Sequence, residues 1–238
     1  MDYQYSAIII GKRDVGETDR IYTAFTQQSG KIKVLAKGVR KAQAKLAGAL
    51  EPLTLVDLAT ARAQGMGKVT GVVVENNYNN LKQDLATVAV ALRGVRLFDR
   101  LVDLEQPDEA LFQLLKEFLE TLDSLNGSAP VKSEVVSLAF TFKLLSSLGY
   151  HFEATRCVQC AGPLSSGDRN GWSPETGGVA CGACVAKDTQ ARSISVNSIK
   201  QLRVFSQNSL NSLRRLGVDE RDTRELGRIA VDFIAWVR

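Results

Sequence analysis

Residues 20–36 read RIYTAFTQQSGKIKVLA. Ile21, Thr23 and Phe25 recur at every second position, Ser29-Gly30 supplies turn chemistry, and Ile32, Val34 and Ala36 then alternate with Lys31 and Lys33. A period of two on both sides of a Gly-containing turn predicts a β-hairpin with an apolar face and a lysine face. Upstream, Tyr3 to Ile10 is β-branched and aromatic. Downstream, Leu53 to Ala59 and Val69 to Glu75 read as two more strands around the loop at Gly65-Met66-Gly67. About five short strands without a long helix predict a small closed barrel such as an OB-fold. Pattern alone fits an SH3-like barrel nearly as well.

The period changes after the Asn-rich stretch at residues 76–80. Leu85, Val88, Leu92, Val95 and Phe98, then Leu111, Leu114, Leu115, Phe118 and Leu122, then Val135, Leu138, Ala139, Phe142 and Leu145 recur mostly at three- and four-residue steps. That spacing is helical. Asn126-Gly127-Ser128 separates the second and third of these segments, and Pro130 suits a first helical turn. Ile199, Leu202, Phe205, Leu213 and Leu216 predict another helix, and Asp222-Thr223-Arg224-Glu225 a capping box that opens the last one. The expectation is a mixed α+β chain: a β-barrel domain over residues 1–80 and an α-helical domain over 81–238, with an insert at about 155–190.

Charge is unevenly divided. Residues 1–80 carry 11 Lys and Arg against 7 Asp and Glu, whereas the rest carry 19 of each sign. The excess is concentrated in Lys31, Lys33, Lys37, Arg40, Lys41 and Lys45, a run without one acidic residue. Such a local field suits a polyanion, and a solvated loop is the competing reading. If the run lines a barrel rim, it lies where OB-folds receive single strands, with Tyr22 as a candidate stacking ring and Phe25 as core.

All four cysteines fall between residues 157 and 184, as C-x-x-C pairs separated by 20 residues. Two such turns present four thiolates at tetrahedral corners, so Cys157, Cys160, Cys181 and Cys184 predict one structural zinc ion. A redox role would need a C-x-x-C opening a helix after a strand, which neither pair shows. Four thiolates also close the metal shell and leave no position for a catalytic water. His151, the only histidine, reads as a residue near a helix end rather than a fifth ligand. Gly11-Lys12, Gly30-Lys31 and Gly67-Lys68 lack the remaining features of a P-loop. One histidine and no cysteine outside the cluster remove the usual nucleophile-base arrangements, so the expectation is a protein that is not an enzyme. The N-terminus lacks the features of a secretory signal and no apolar run is long enough to span a bilayer, which predicts a cytoplasmic protein without a membrane partner.

Residues 7–56 combine D-x-G-E-x-D-R-I, T-x-F-T before Gly30-Lys31, A-K-G-x-R at 36–40 and L-x-P at 50–52. Residues 142–150 add F-K-L-L-x-x-L-G-Y, followed by C-x-x-C, a G-W and G-G segment, and C-x-x-C. In this order the motifs resemble the RecO family of bacterial recombination mediators over nearly the whole chain. The resemblance implies an N-terminal OB-fold, a helical domain with a zinc-binding insert, and a non-enzymatic role in DNA repair. It implies binding of single- and double-stranded DNA, annealing of complementary strands, and help in loading RecA onto DNA coated by single-strand-binding protein. The implied partners are RecR, the acidic C-terminal tail of that coating protein and, indirectly, RecA, in a nucleoid-associated setting. A-K-G-x-R places the family's basic DNA-binding surface on Lys37 and Arg40. The alternative is a zinc-ribbon transcription regulator, which would require an element that reads duplex sequence.

Overall fold

The structure is a computed structural model that describes residues 2–41, 46–61, 66–125, 130–167, 169–187 and 190–237. Lys45, Gly65, the Asn126-Gly127-Ser128 break and Asp168 lie outside the described residues. The chain divides into two compact units, Met1–Gly127 and Ser128–Arg238.

In the first unit, strands β1 (Asp2–Val15), β2 (Asp19–Thr26), β3 (Gly30–Ala36), β4 (Thr54–Ala61) and β5 (Gly67–Asn76) form a closed barrel in the order β1-β2-β3-β5-β4. β1 serves both sides: Asp2 to Ile9 pairs β4, and Ala7 to Val15 pairs β2. A register shift between Ile9 and Gly11 bends it from one partner toward the other. Closure is parallel and short, Val34 against Gly67 and Leu35 against Lys68. This closed order, with its parallel β3–β5 seam, is consistent with the OB-fold of the two barrels that the pattern allowed.

The predicted hairpin is β2–β3, but its apolar face is assigned differently. Tyr22 and Ala24, not Ile21 and Thr23, point into the barrel core with Ala7, Ile9, Val34 and Val56. Phe25 is buried on the opposite face, 4.7 Å from the Phe98 ring and 6.4 Å from that of Phe112. Both faces of the strand end are therefore covered, and simple alternation no longer marks the inside. Those rings come from α2 (Leu85–Leu101) and α3 (Glu109–Asp123), which follow the short α1 (Asn79–Gln83). Asp84 and Asp108 cap α2 and α3 by accepting from the backbone N–H of Thr87 and Leu111. The buried stripe of α2 runs through Thr87, Val90, Ala91, Val95 and Phe98. Leu85, expected in it, is 85% exposed.

Gly30 has a φ of +65°, and a Cβ there would lie 2.0 Å from the carbonyl oxygen of Gln106. Only glycine lets the hairpin turn meet the α2–α3 connection, where the N–H of Glu105 donates to the carbonyl of Lys31 at 2.9 Å.

In the second unit, α4 (Pro130–Ser147) buries Val135, Val136, Ala139, Phe140, Leu144 and Leu145, a set that covers most of its circumference. A helix apolar nearly all round belongs at the centre. α4 is followed by a small sheet of β6 (Gly171–Ser173), β7 (Gly178–Ala180) and β8 (Arg192–Ser193), with the single-turn α5 (Gly182–Val185) before β8. α6 (Val196–Gln207), a 3₁₀ turn (Asn211–Arg215) and α7 (Glu220–Trp236) complete the unit, and α6, the turn and α7 all pack on α4. Two expectations change here. Leu213 and Leu216 do not continue α6, because the helix stops at Gln207. α7 starts before Asp222, since Asp219 is the cap and accepts from the Asp222 N–H at 2.8 Å. No helix among the described residues is long and apolar enough to cross a membrane.

Candidate metal centre and nucleic-acid surface

The cysteine cluster is built from two tight turns. In the first, the Ala161 N–H donates to the Cys157 carbonyl at 2.9 Å, and the Cys157 N–H to the Gly162 carbonyl at 2.9 Å. In the second, Cys181 caps α5 directly after β7, so this pair, contrary to the expectation from sequence, does open a helix after a strand. The helix is a single turn, however, and the other two thiols lie within 4.8 Å. The N–H groups of Cys184 and Val185 both donate to the Cys181 carbonyl at 2.9 Å. The turns face one another because the flanking chain is cross-linked by backbone bonds, Val158 N–H to Val179 carbonyl and Val179 N–H to Glu153 carbonyl. A Cβ on Gly178 would lie 2.5 Å from that Glu153 carbonyl, so the two segments approach too closely for any other residue. Phe152 anchors the insert with ring contacts at 5.7 Å to Phe142, 6.1 Å to Trp172 and 5.4 Å to Phe233.

The four sulfur atoms lie within 4.8 Å of one another, and those of Cys160 and Cys181 are 3.8 Å apart. A tetrahedron with metal–sulfur arms of about 2.3 Å has edges of about 3.8 Å. The cluster could therefore hold one metal ion. Its electrostatics favour a cation: burial raises the Cys157 thiol, but N–H donors from Cys181, Cys160 and Gln159 more than offset this and bring it down to about 6. Cys184 is pushed up to about 12, first by the hydrogen bond with Cys181 and then by burial and the other two thiols. One thiolate forms readily and opposes the next, a conflict that a divalent ion relieves. His151 is exposed and pairs with the Ser146 hydroxyl at 2.7 Å, outside the cluster.

The basic run is partly dispersed by the barrel. Lys31 is only 8% exposed, and its ammonium donates to the Asp99 carbonyl at 2.6 Å and pairs with the Asp99 carboxylate at 3.3 Å. Lys33, Lys37, Arg40 and Lys41 are exposed. Between them, Val39 and the later Leu50 turn inward and join the barrel core. The loop is thus pinned from inside while its cations face water.

Two carboxylates shape this loop. Asp19 accepts from the Gly38 N–H at 2.7 Å, and that bond, with help from Thr18, holds its carboxyl below the usual range. Asp14 accepts from Arg20 at 2.5 Å and lies 3.4 Å from the Arg40 guanidinium. The Arg20 bond is the main reason its carboxyl is also lowered. Both belong to the D-x-G-E-x-D-R stretch; its spacing could have pointed to them, whereas a search for cations could not. Tyr22, considered as a stacking ring, is fully buried in the barrel.

Family models match along nearly all of the chain: Recombination protein O N terminal over residues 1–78 and Recombination protein O C terminal over residues 82–237. The chain belongs to the RecO family. Curated relatives called DNA repair protein RecO include one from Dehalococcoides mccartyi, 37% identical over 94% of this chain and 86% of its own length. Others are from Roseiflexus sp., 33% identical over 87% and 71%, and Cutibacterium acnes, 31% identical over 76% and 74%. The RecO models divide the sequence just after the last barrel strand, whereas compactness groups α1, α2 and α3 with the barrel.

Proposed function

We propose that this RecO-family chain is a non-enzymatic recombination mediator. It binds single- and double-stranded DNA through the barrel rim, anneals complementary strands, and assists loading of RecA onto DNA coated by single-strand-binding protein, together with RecR. The observation that supports this reading is the exposed cationic loop of Lys37, Arg40 and Lys41, with exposed Lys33 on the strand before it, on a five-stranded barrel. Phosphate contacts release counterions, so affinity for single strands falls with log salt by about 0.7 per contact. Changing Arg40, Lys41 and Lys45 together to alanine should flatten that slope by about 2 units, nearly uniformly across sequences. Fluorescence anisotropy at several salt concentrations measures it, and an unchanged slope in a folded variant refutes the assignment. Lys31, tied to Asp99, supports the strand rather than the DNA in this reading. Annealing of protein-coated complementary strands without nucleotide tests the activity itself.

The four cysteines hold one structural zinc ion in this proposal, since soft thiolates at this spacing suit that metal and close its shell. The acidic partner tail needs cations beside an apolar spot. Arg224 and Arg228 line a groove along α7 with Gly227 and Val231, the last 65% exposed, and with Arg192, whose guanidinium is paired to the Asp232 carboxylate of the same groove. Arg224→Glu with Arg228→Glu should abolish most binding of a synthetic acidic tail peptide to the full chain. Undiminished binding would move the dock elsewhere.

A further inference from the structure

The barrel wall has a gap beside β3. β5 pairs with β3 only at Val34 and Leu35, and the α2–α3 connection bridges it at Lys31 through Leu104. Between these points a groove of about 210 Å³ opens at the barrel mouth. Its walls are Tyr3 and Tyr5 of β1, Ile32 and Lys33 of β3, Met66 beside β5, and Leu104. The Tyr3 and Tyr5 rings are parallel within 8°, with centroids 6.1 Å apart. They extend the inward face of β1, where Ala7 and Ile9 are core, out to the solvent.

An unfilled core would not look like this. Tyr3 is 38%, Met66 41% and Leu104 47% exposed, three large apolar side chains around one opening. The volume is below that of a drug-sized pocket and suits a single flat ring system. The charged residues that line it are the exposed Lys33 of β3 and the Glu105 carboxylate. Flat aromatic surface with a lysine at its edge matches a single-stranded nucleic acid, in which each base has a π face and each link a phosphate.

We propose that this groove seats one unstacked base of single-stranded DNA, with Tyr3 and Tyr5 as the stacking face and Lys33 on an adjoining phosphate. The proposal rests on the reading of the barrel as a single-strand-binding surface. It adds a contact to the base itself, which the Lys37–Lys41 loop does not make.

The test compares an oligothymidylate with an abasic phosphodiester chain of equal length and charge, using the full-length protein. The wild type should prefer the thymidylate by at least about fivefold, the lower end of what one stacked base contributes. Tyr3→Ala should remove most of that preference while leaving the salt slope unchanged, and Tyr3→Phe should retain it. Met66→Glu, at a solvent-exposed position, should remove it independently, and decides the matter if Tyr3→Ala fails to fold. Equal wild-type binding of the two oligomers, or a preference that survives in the folded variants, overturns the groove assignment. The second of these results is what an apolar peptide occupant would give. In either case a salt-dependent affinity keeps the basic-loop reading intact, whereas binding of neither oligomer defeats both.

Discussion

β1 runs for 14 residues and is paired along both edges, whereas the strands of the cysteine insert have three, three and two residues. The barrel has an interior, filled by Tyr22, Val34, Val56 and their neighbours. The insert has a sheet too small to enclose anything, pinned by Trp172 and Phe152 on one side and four thiols on the other. Strands this short cannot bury enough apolar area to offset the ordering of their backbone. Barrel order is therefore spread over many contacts, and insert order is concentrated in a few atoms.

The largest effect expected from this contrast follows Cys157→Ser with Cys160→Ser. Metal binding in comparable structural sites is worth about 10–16 kcal/mol, and where no site is preformed that energy is folding energy. Under the proposed zinc site, the variant should bind no metal by elemental analysis, expose Trp172 by fluorescence, and lower the melting temperature of the second unit. DNA affinity of the barrel should be unaffected. A metal-free variant with Trp172 still buried would show that the Phe152 contacts suffice, and the contrast would fail.

Phe25→Ala is the counterpart in the barrel unit. It removes a fully buried ring packed on Phe98 and Phe112, at a cost of about 3–5 kcal/mol. Chemical denaturation should show this loss with the metal content unchanged. A loss that also released metal would mean that the two regions are not independent.

Asp219→Ala removes the α7 cap, which should cost about 1 kcal/mol. The smallest effect concerns acid. Because the folded-state carboxyls of Asp14 and Asp19 are lowered, their contribution is present above the ordinary value of 3.8 and is lost as pH falls through the lowered one. Asp19→Asn should blunt the acid sensitivity of the loop around Gly38, measured by amide exchange of the Gly38 N–H between pH 5 and roughly 3. An equal pH response in wild type and variant would remove Asp19 from the account.

Much of this was legible in residue order. The Ser29-Gly30 turn between two alternating segments identifies the hairpin, since a period of two and a left-handed turn residue are local properties. The cysteine spacing identifies the cluster for a similar reason: each C-x-x-C turn is short enough to be specified by its own backbone. What lay beyond reach depended on residues distant in sequence. Phe25 and Tyr22 differ by three positions in one strand, yet only the arrival of α2 and α3 decides that Phe25 faces the helices and Tyr22 the barrel. Lys31 and Lys33 read alike, and the Asp99 carboxylate, 68 residues along the chain from Lys31, buries one and leaves the other in water. Periodicity and turn chemistry are thus set by the sequence itself, because neighbours along the chain carry them. The face a side chain shows, and whether a charge is free to meet a partner, were decided by tertiary packing, because burial is a property of whichever element comes to lie against it.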